Sequence, residues 1–126
     1  MHETRIAVRW TDFDLLGHLT HAIYPVYLDE ARDVVVTAAV GDFETWPWVI
    51  AHTSIDYRRE IRHPAREVVV RTRVAEVGRT SVTFEQEVLA PDGEVAASAR
   101  SVLVAWDADA RAARPIGDDD RERLLG

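Results

Sequence analysis

Asp12, Asp14, His18 and His21 fall within ten residues of one another, immediately before a long stretch of helical character. Two carboxylates and two imidazoles at that spacing suit acyl-transfer chemistry. Hydrolysis of an ester or thioester needs a base or nucleophile, and donors for the oxyanion that develops on the carbonyl. A carboxylate on a loop facing a helix start supplies the first. The N–H groups of that helix's first turn, which lack intrahelical partners, supply the second. The helix dipole also favours the ionised carboxylate. Spacing alone does not single out this chemistry, because an Asp ahead of a helix is more often a cap or a loop residue. Metal binding is disfavoured: there is no H-x-x-x-H pair on a helix and no cysteine to assist.

The surrounding elements must hold this cluster. Ile6, Val8 and Trp10 alternate with Ala7 and Arg9, which predicts a first strand. A polar loop with Gly17 follows. The spacing predicts a helix over about 22–40, with Pro25 in the first turn and Gly41 as the stop. Asp29, Asp33 and Thr37 give it one narrow polar stripe with Glu30 beside it, so burial on most sides is expected. Beyond the Trp46-Pro47-Trp48 connector, strands are predicted over 49–60, 67–77, 81–89 and 95–106, with Pro91-Asp92-Gly93 as a turn. A short helix is expected within 115–125. The order implies an α+β domain spanning 1–126, with one long buried helix against a five-stranded, largely antiparallel sheet. Its open face and edges make oligomerisation the economical solution.

Composition narrows the function. All 15 basic residues are Arg, so Schiff-base chemistry is excluded, and the absence of cysteine excludes disulfides and thiolate chemistry. A net charge of -7 argues against nucleic-acid binding. Charges interrupt every apolar stretch before membrane-spanning length, and Met1 to Arg9 form no signal-peptide core, so a cytoplasmic protein without a membrane span is expected.

The run from Val8 to Tyr24, containing Asp12-Phe13-Asp14-Leu15-Leu16-Gly17-His18-Leu19-Thr20-His21, resembles the signature of hotdog-fold acyl-CoA thioesterases. So does the following Tyr27-Leu28-Asp29-Glu30-Ala31-Arg32. The subgroup it resembles is the 4-hydroxybenzoyl-CoA thioesterase family, with its Tol-Pal-associated members. Asp56-Tyr57-Arg58-Arg59, the Gly78-Arg79-Thr80-Ser81 turn and the strand to Trp106 extend the resemblance more weakly.

The resemblance implies a hotdog fold and hydrolysis of an acyl-CoA thioester to free acid and CoA. It implies that Asp14 is the catalytic carboxylate, attacking the carbonyl or activating water. It places His21 as a helper imidazole whose backbone N–H polarises the carbonyl, where many members carry Asn near position 20 or 21. His18, Tyr24, Arg58 and Arg79 are the expected substrate contacts, with Arg79 nearest the nucleotide. No metal, cofactor or prosthetic group is implied. A homodimer or homotetramer with the site between subunits is.

Other readings stand beside these. Asp12 reads as a loop acceptor that orders the turn. Glu30 is an alternative carboxylate. Arg58 and Arg59 should point to opposite faces of a strand, so they should not serve one ligand together. Glu60 and Glu67 would pair with the Arg cluster on a solvated surface. Trp10, Phe43, Trp46 and Trp48 either fill the core or line an aromatic pocket. The rival functions are a non-catalytic acyl-CoA-binding protein, a hotdog hydratase or dehydratase, and hydrolysis of an acyl-carrier-protein thioester.

Overall fold

Period-two alternation in the C-terminal half and helical spacing in the N-terminal third dictate the elements of the computed structural model, which describes residues 1–41 and 47–126. They are β1 (His2–Ala7), α1 (Tyr24–Val40), β2 (Trp48–Tyr57), β3 (Glu67–Val77), β4 (Ser81–Leu89), β5 (Val95–Asp107), β6 (Ala112–Ala113) and α2 (Asp118–Leu125). Short 3-10 turns occupy Trp10–Asp12 and His21–Ile23. The strands pair antiparallel in the order β1-β3-β4-β5-β2, with the two-residue β6 added to β5. The long helix packs against this curled sheet, the α+β hotdog arrangement expected from the sequence.

β3 and β4 occupy the predicted ranges to the residue: the inward set of β4 is unbroken, and that of β3 runs to Thr72 before a register shift between Val74 and Glu76. Val68, Val70 and Thr72 face inward from β3, and Val82, Phe84, Gln86 and Val88 from β4. α1 stops where expected: Gly41 has φ 109°, and its N–H donates to the Thr37 carbonyl at 3.1 Å.

Two expectations need correction. Trp10 does not continue the first strand. β1 ends at Ala7, and Asp12 Oδ2 accepts the Arg9 N–H at 3.0 Å, which turns the chain and leaves Trp10 82% exposed. Nor is α1 buried on most sides of this chain. Tyr24, Tyr27, Leu28, Ala31, Arg32 and Val36 form one inward face, while Val26 and Val34 point outward with Asp33 and Thr37. The apolar residues outnumber the places one sheet can cover. Trp48 is buried in the core, as the commoner expectation had it. Phe43 and Trp46 lie outside the described residues.

The core has two clusters, one at each end of the sheet. One gathers Ile6, Leu19, Tyr27, Ile61, Val68 and Ala97, and the other Val36, Trp48, Phe84, Ala105, Ile116 and Leu124. Arg32, 3% exposed, sits in a buried polar group with Gln86, Thr72 and Ser101. Its Nη1 donates to Gln86 Oε1 at 2.9 Å and to Ser101 Oγ at 3.0 Å, and Nη2 pairs with Asp29. Gln86 Nε2 donates to the Leu28 carbonyl and to Thr72 Oγ1, both at 3.1 Å. Donors and acceptors are matched, as burial of such groups requires.

Candidate active site

The Asp-rich loop becomes rigid through bonds its own sequence supplies. Phe13 bridges Leu19 antiparallel, closing a tight reversal in which Gly17 takes φ 78°, a conformation glycine adopts without strain. The Asp14 N–H donates to the His18 carbonyl at 2.8 Å. In return, Asp14 Oδ1 accepts the N–H of His18 at 3.0 Å and of Leu16 at 2.9 Å. Both bonds fall on one oxygen of an exposed carboxylate. The side chain is thereby oriented with Oδ2 left for an incoming group.

Asp12, two residues earlier, has the opposite environment. It is 4% exposed and accepts the Tyr27 hydroxyl at 2.6 Å on Oδ2, with Arg9 Nη2 at 3.3 Å from Oδ1. Burial pushes its pKa up, but the Tyr27 hydroxyl and the Arg9 backbone and guanidinium groups together outweigh this and hold it below the ordinary value. Burial and the Asp12 carboxylate raise the Tyr27 pKa, which keeps the hydroxyl protonated as the donor. Asp12 therefore anchors the loop to α1, as the loop-acceptor reading expects.

The segment after β2 completes the surroundings. Leu19 N–H donates to the Ile61 carbonyl at 2.7 Å, and His63 N–H to the Gly17 carbonyl at 2.8 Å. His18 Nε2 lies 2.6 Å from Glu60 Oε2. The 3-10 turn His21–Ile23 leads into α1, and the Tyr57 hydroxyl donates to the His21 carbonyl at 2.9 Å. The Tyr57 ring also meets Tyr24 edge-on, with centroids 5.1 Å apart. Burial first, and then Tyr57, raises the Tyr24 pKa.

An open cleft of about 340 Å³ results, lined by Asp14, His18, Leu19, His21, Tyr24 and the segment from Tyr57 to Glu60. It brings together five of the six residues singled out from the sequence: Asp14, His18, His21, Tyr24 and Arg58. Arg79 is not among them. It follows β3, whose eleven residues place it roughly 35 Å of extended strand from the cleft end. Glu30 is exposed on α1 and is not among the cleft-lining residues.

Arg58 and Arg59 both line the cleft, contrary to the opposite-faces expectation. β2 ends at Tyr57, so strand alternation no longer governs them, and both N–H groups donate to the Ala96 carbonyl, at 2.8 and 3.2 Å. Arg58 Nε donates to Ser98 Oγ at 2.9 Å, and Arg59 pairs with Asp92 at 3.0 Å. Glu60 meets Arg62 at 3.6 Å, while Glu67 faces Arg5 instead of the Arg cluster. Tyr57 and Glu60 are the site residues the sequence reading did not assign. The Asp56-Tyr57-Arg58-Arg59 resemblance was the one signal near them. Among the described residues, no three His, Cys, Asp or Glu side chains gather as a metal-binding group, and no helix is long and apolar enough to cross a membrane.

The family model of the thioesterase-like superfamily matches residues 8–124. A thioesterase from Thermus thermophilus, solved in complex with coenzyme A and Zn, is 33% identical, with 98% of this chain and 97% of that one covered and a TM-score of 0.88. A predicted thioesterase from Bacillus stearothermophilus is 30% identical, with 97% and 92% covered and a TM-score of 0.88. A DHNA-CoA thioesterase from Staphylococcus aureus, 21% identical with 90% and 78% covered and a TM-score of 0.79, shares the fold. No curated protein matches the chain.

Proposed function

The chain belongs to the thioesterase-like superfamily, and from that premise we propose that it hydrolyses acyl-CoA thioesters with Asp14 as the reacting carboxylate. The observation that carries this reading is the contrast within one loop. Asp12 is buried and spent on structure, whereas Asp14 is exposed in the cleft with only Oδ1 engaged by backbone N–H groups. The coenzyme A held by the Thermus protein supports CoA as the thiol portion of the substrate.

In this reading the acyl carbonyl lies between Asp14 Oδ2 and the turn that begins α1. N–H groups at His21 and just beyond polarise the carbonyl oxygen, helped by the helix dipole. Asp14 either adds to the carbonyl carbon or takes a proton from the water that does. The C–S bond then breaks and the CoA thiolate leaves and is protonated; where Asp14 has added, water cleaves the resulting acyl–Asp14 anhydride at its acyl carbon and frees the carboxylate, so on either route water's oxygen ends in the free acid. His21 stands at the helix start as orienting donor or acid–base group, and His18 and Tyr24 contact the acyl portion. Arg58 lies on the cleft wall where a CoA phosphate would pass. Arg79 serves the same substrate only if contributed by a second copy of the chain. β2 is an edge strand whose outer side has no partner among the described residues, and pairing there would suit a homodimer or homotetramer with a shared site.

The test is thiol release from a panel of short, long and aromatic acyl-CoAs by the purified protein. The expected result is equimolar free acid and thiol from at least one of them. Tight acyl-CoA binding without thiol release, or hydration of crotonyl-CoA without it, overturns the reading.

A further inference from the structure

Two side chains at the end of β2 hold the two halves of the cleft. Tyr57 donates its hydroxyl to the carbonyl of His21, at the start of the helical segment. Glu60, three residues on, meets Nε2 of His18, whose own N–H and carbonyl are both bonded to Asp14. The segment between them is itself fixed, because the N–H groups of Arg58 and Arg59 share the Ala96 carbonyl of β5. Arg59 is further tied to Asp92 in the β4–β5 turn.

We propose that Tyr57 and Glu60 are positioning residues: together they set the distance between the Asp14 carboxylate and the carbonyl-polarising helix start. This rests on the assignment of Asp14 as the reacting group. The physical reason is the way the loop is built. Its internal bonds orient Asp14 within the reversal, and Asp12 ties the start of the loop to Tyr27 of α1, but neither links His18 beside Asp14 to the helix start at His21. Loop and helix start are joined in sequence only through Leu19 and Thr20. Tyr57 and Glu60 reach both sides from one short rigid segment. A side chain held by its neighbours in this way keeps reacting groups within the few tenths of an ångström that catalysis demands.

Glu60 supplies an acceptor to His18, so the role is one of hydrogen-bond geometry. Removing that acceptor in Glu60→Ala should lower kcat roughly tenfold to a hundredfold with KM within about twofold, as expected when alignment and not binding is lost. Glu60→Gln keeps an acceptor and should recover most of that loss. Tyr57→Phe, which removes only the hydroxyl, should lower kcat by roughly fivefold or more, again with KM little changed. The imidazole 15N shifts of His18 should move in Glu60→Ala, and the carbonyl 13C shift of His21 in Tyr57→Phe. These two readouts need no turnover. If Asp14→Asn retains activity, the assignment of Asp14 fails while the shifts still report whether the tethers exist. The positioning proposal is overturned by unchanged shifts, by kcat within twofold of wild type in both Glu60→Ala and Tyr57→Phe, or by Glu60→Gln as impaired as Glu60→Ala.

Discussion

At the end of the sheet that carries Asp14, polar groups stand in an open cleft and are fixed by hydrogen bonds. At the other end apolar side chains close on one another, with a hollow of about 320 Å³ beside Val36 and Trp48. There Val36, Trp48, Phe84 and Ile116 pack together with Leu124 of α2. Arg121 grips the last turn of that end, donating to the Val77 carbonyl at 2.6 Å and the Gly78 carbonyl at 2.9 Å. Arg79 is exposed beside it, and its backbone carbonyl takes the Ile116 N–H at 2.8 Å. The same strands thus run from an apolar, stabilising end to the one that carries the proposed site. Packing supplies stability through buried apolar area and close fit. Hydrogen bonds to backbone supply position at modest energetic return, and they leave a charged group in water where it can react.

If the two ends are divided in this way, variants at the closed end should cost stability and leave the chemistry per folded molecule intact. Phe84→Ala should have the largest effect on folding, about 3–5 kcal/mol, because the ring is fully buried and its removal leaves a cavity. Its melting temperature should fall by about 10–20 °C, while thiol release per folded molecule stays within twofold of wild type. A selective loss of turnover in this variant would break the comparison.

Tyr27→Phe comes next and tests the boundary between the ends. It removes the buried donor to Asp12 and should cost about 1.5–3 kcal/mol. The pH dependence has a defined sign. The Asp12 pKa is depressed in the folded state, so its contribution is present above the ordinary aspartate value of about 3.9 and is lost as pH falls through the folded value. Without Tyr27's hydroxyl, acid unfolding should begin at higher pH than in wild type. An unchanged acid midpoint would contradict the anchoring role given to Asp12. Arg121→Ala should have the smallest effect of the three, about 1–2 kcal/mol from the loss of two half-buried hydrogen bonds. Urea titration would show it as a lowered midpoint with turnover unaffected.

The sequence disclosed local features well and non-local ones poorly. β3 and β4 were legible to the residue because buried residues recur at every second position from Val68 to Thr72 and from Val82 to Val88. The helix ends were legible from Pro25 and Gly41. From sequence, Asp14 is proposed as the reacting group only because of the motif around it; the carboxylate-before-helix pattern by itself describes a cap equally well. Its contrast with Asp12 is decided by Tyr27, fifteen residues away from Asp12, and that contact is invisible to spacing. Tyr57 and Glu60 reach His21 and His18 across some forty residues of chain, and the weak Asp56-to-Arg59 resemblance is the one local mark near them. The alternation argument failed for Arg58 and Arg59 because β2 ends just before them. Arg79 was placed by resemblance alone, and the length of β3 puts it at the closed end.

Asp14, as proposed, serves chemistry and not the fold. Asp14→Asn keeps an acceptor for the Leu16 and His18 N–H groups and removes only the charge. Measuring thiol release from the best acyl-CoA beside a thermal melt tests the claim most directly. The expected result is a loss of kcat of about a thousandfold or more, with a melting temperature within about 2 °C of wild type. Retained turnover, or a loss of activity matched by a collapse in stability, would contradict it.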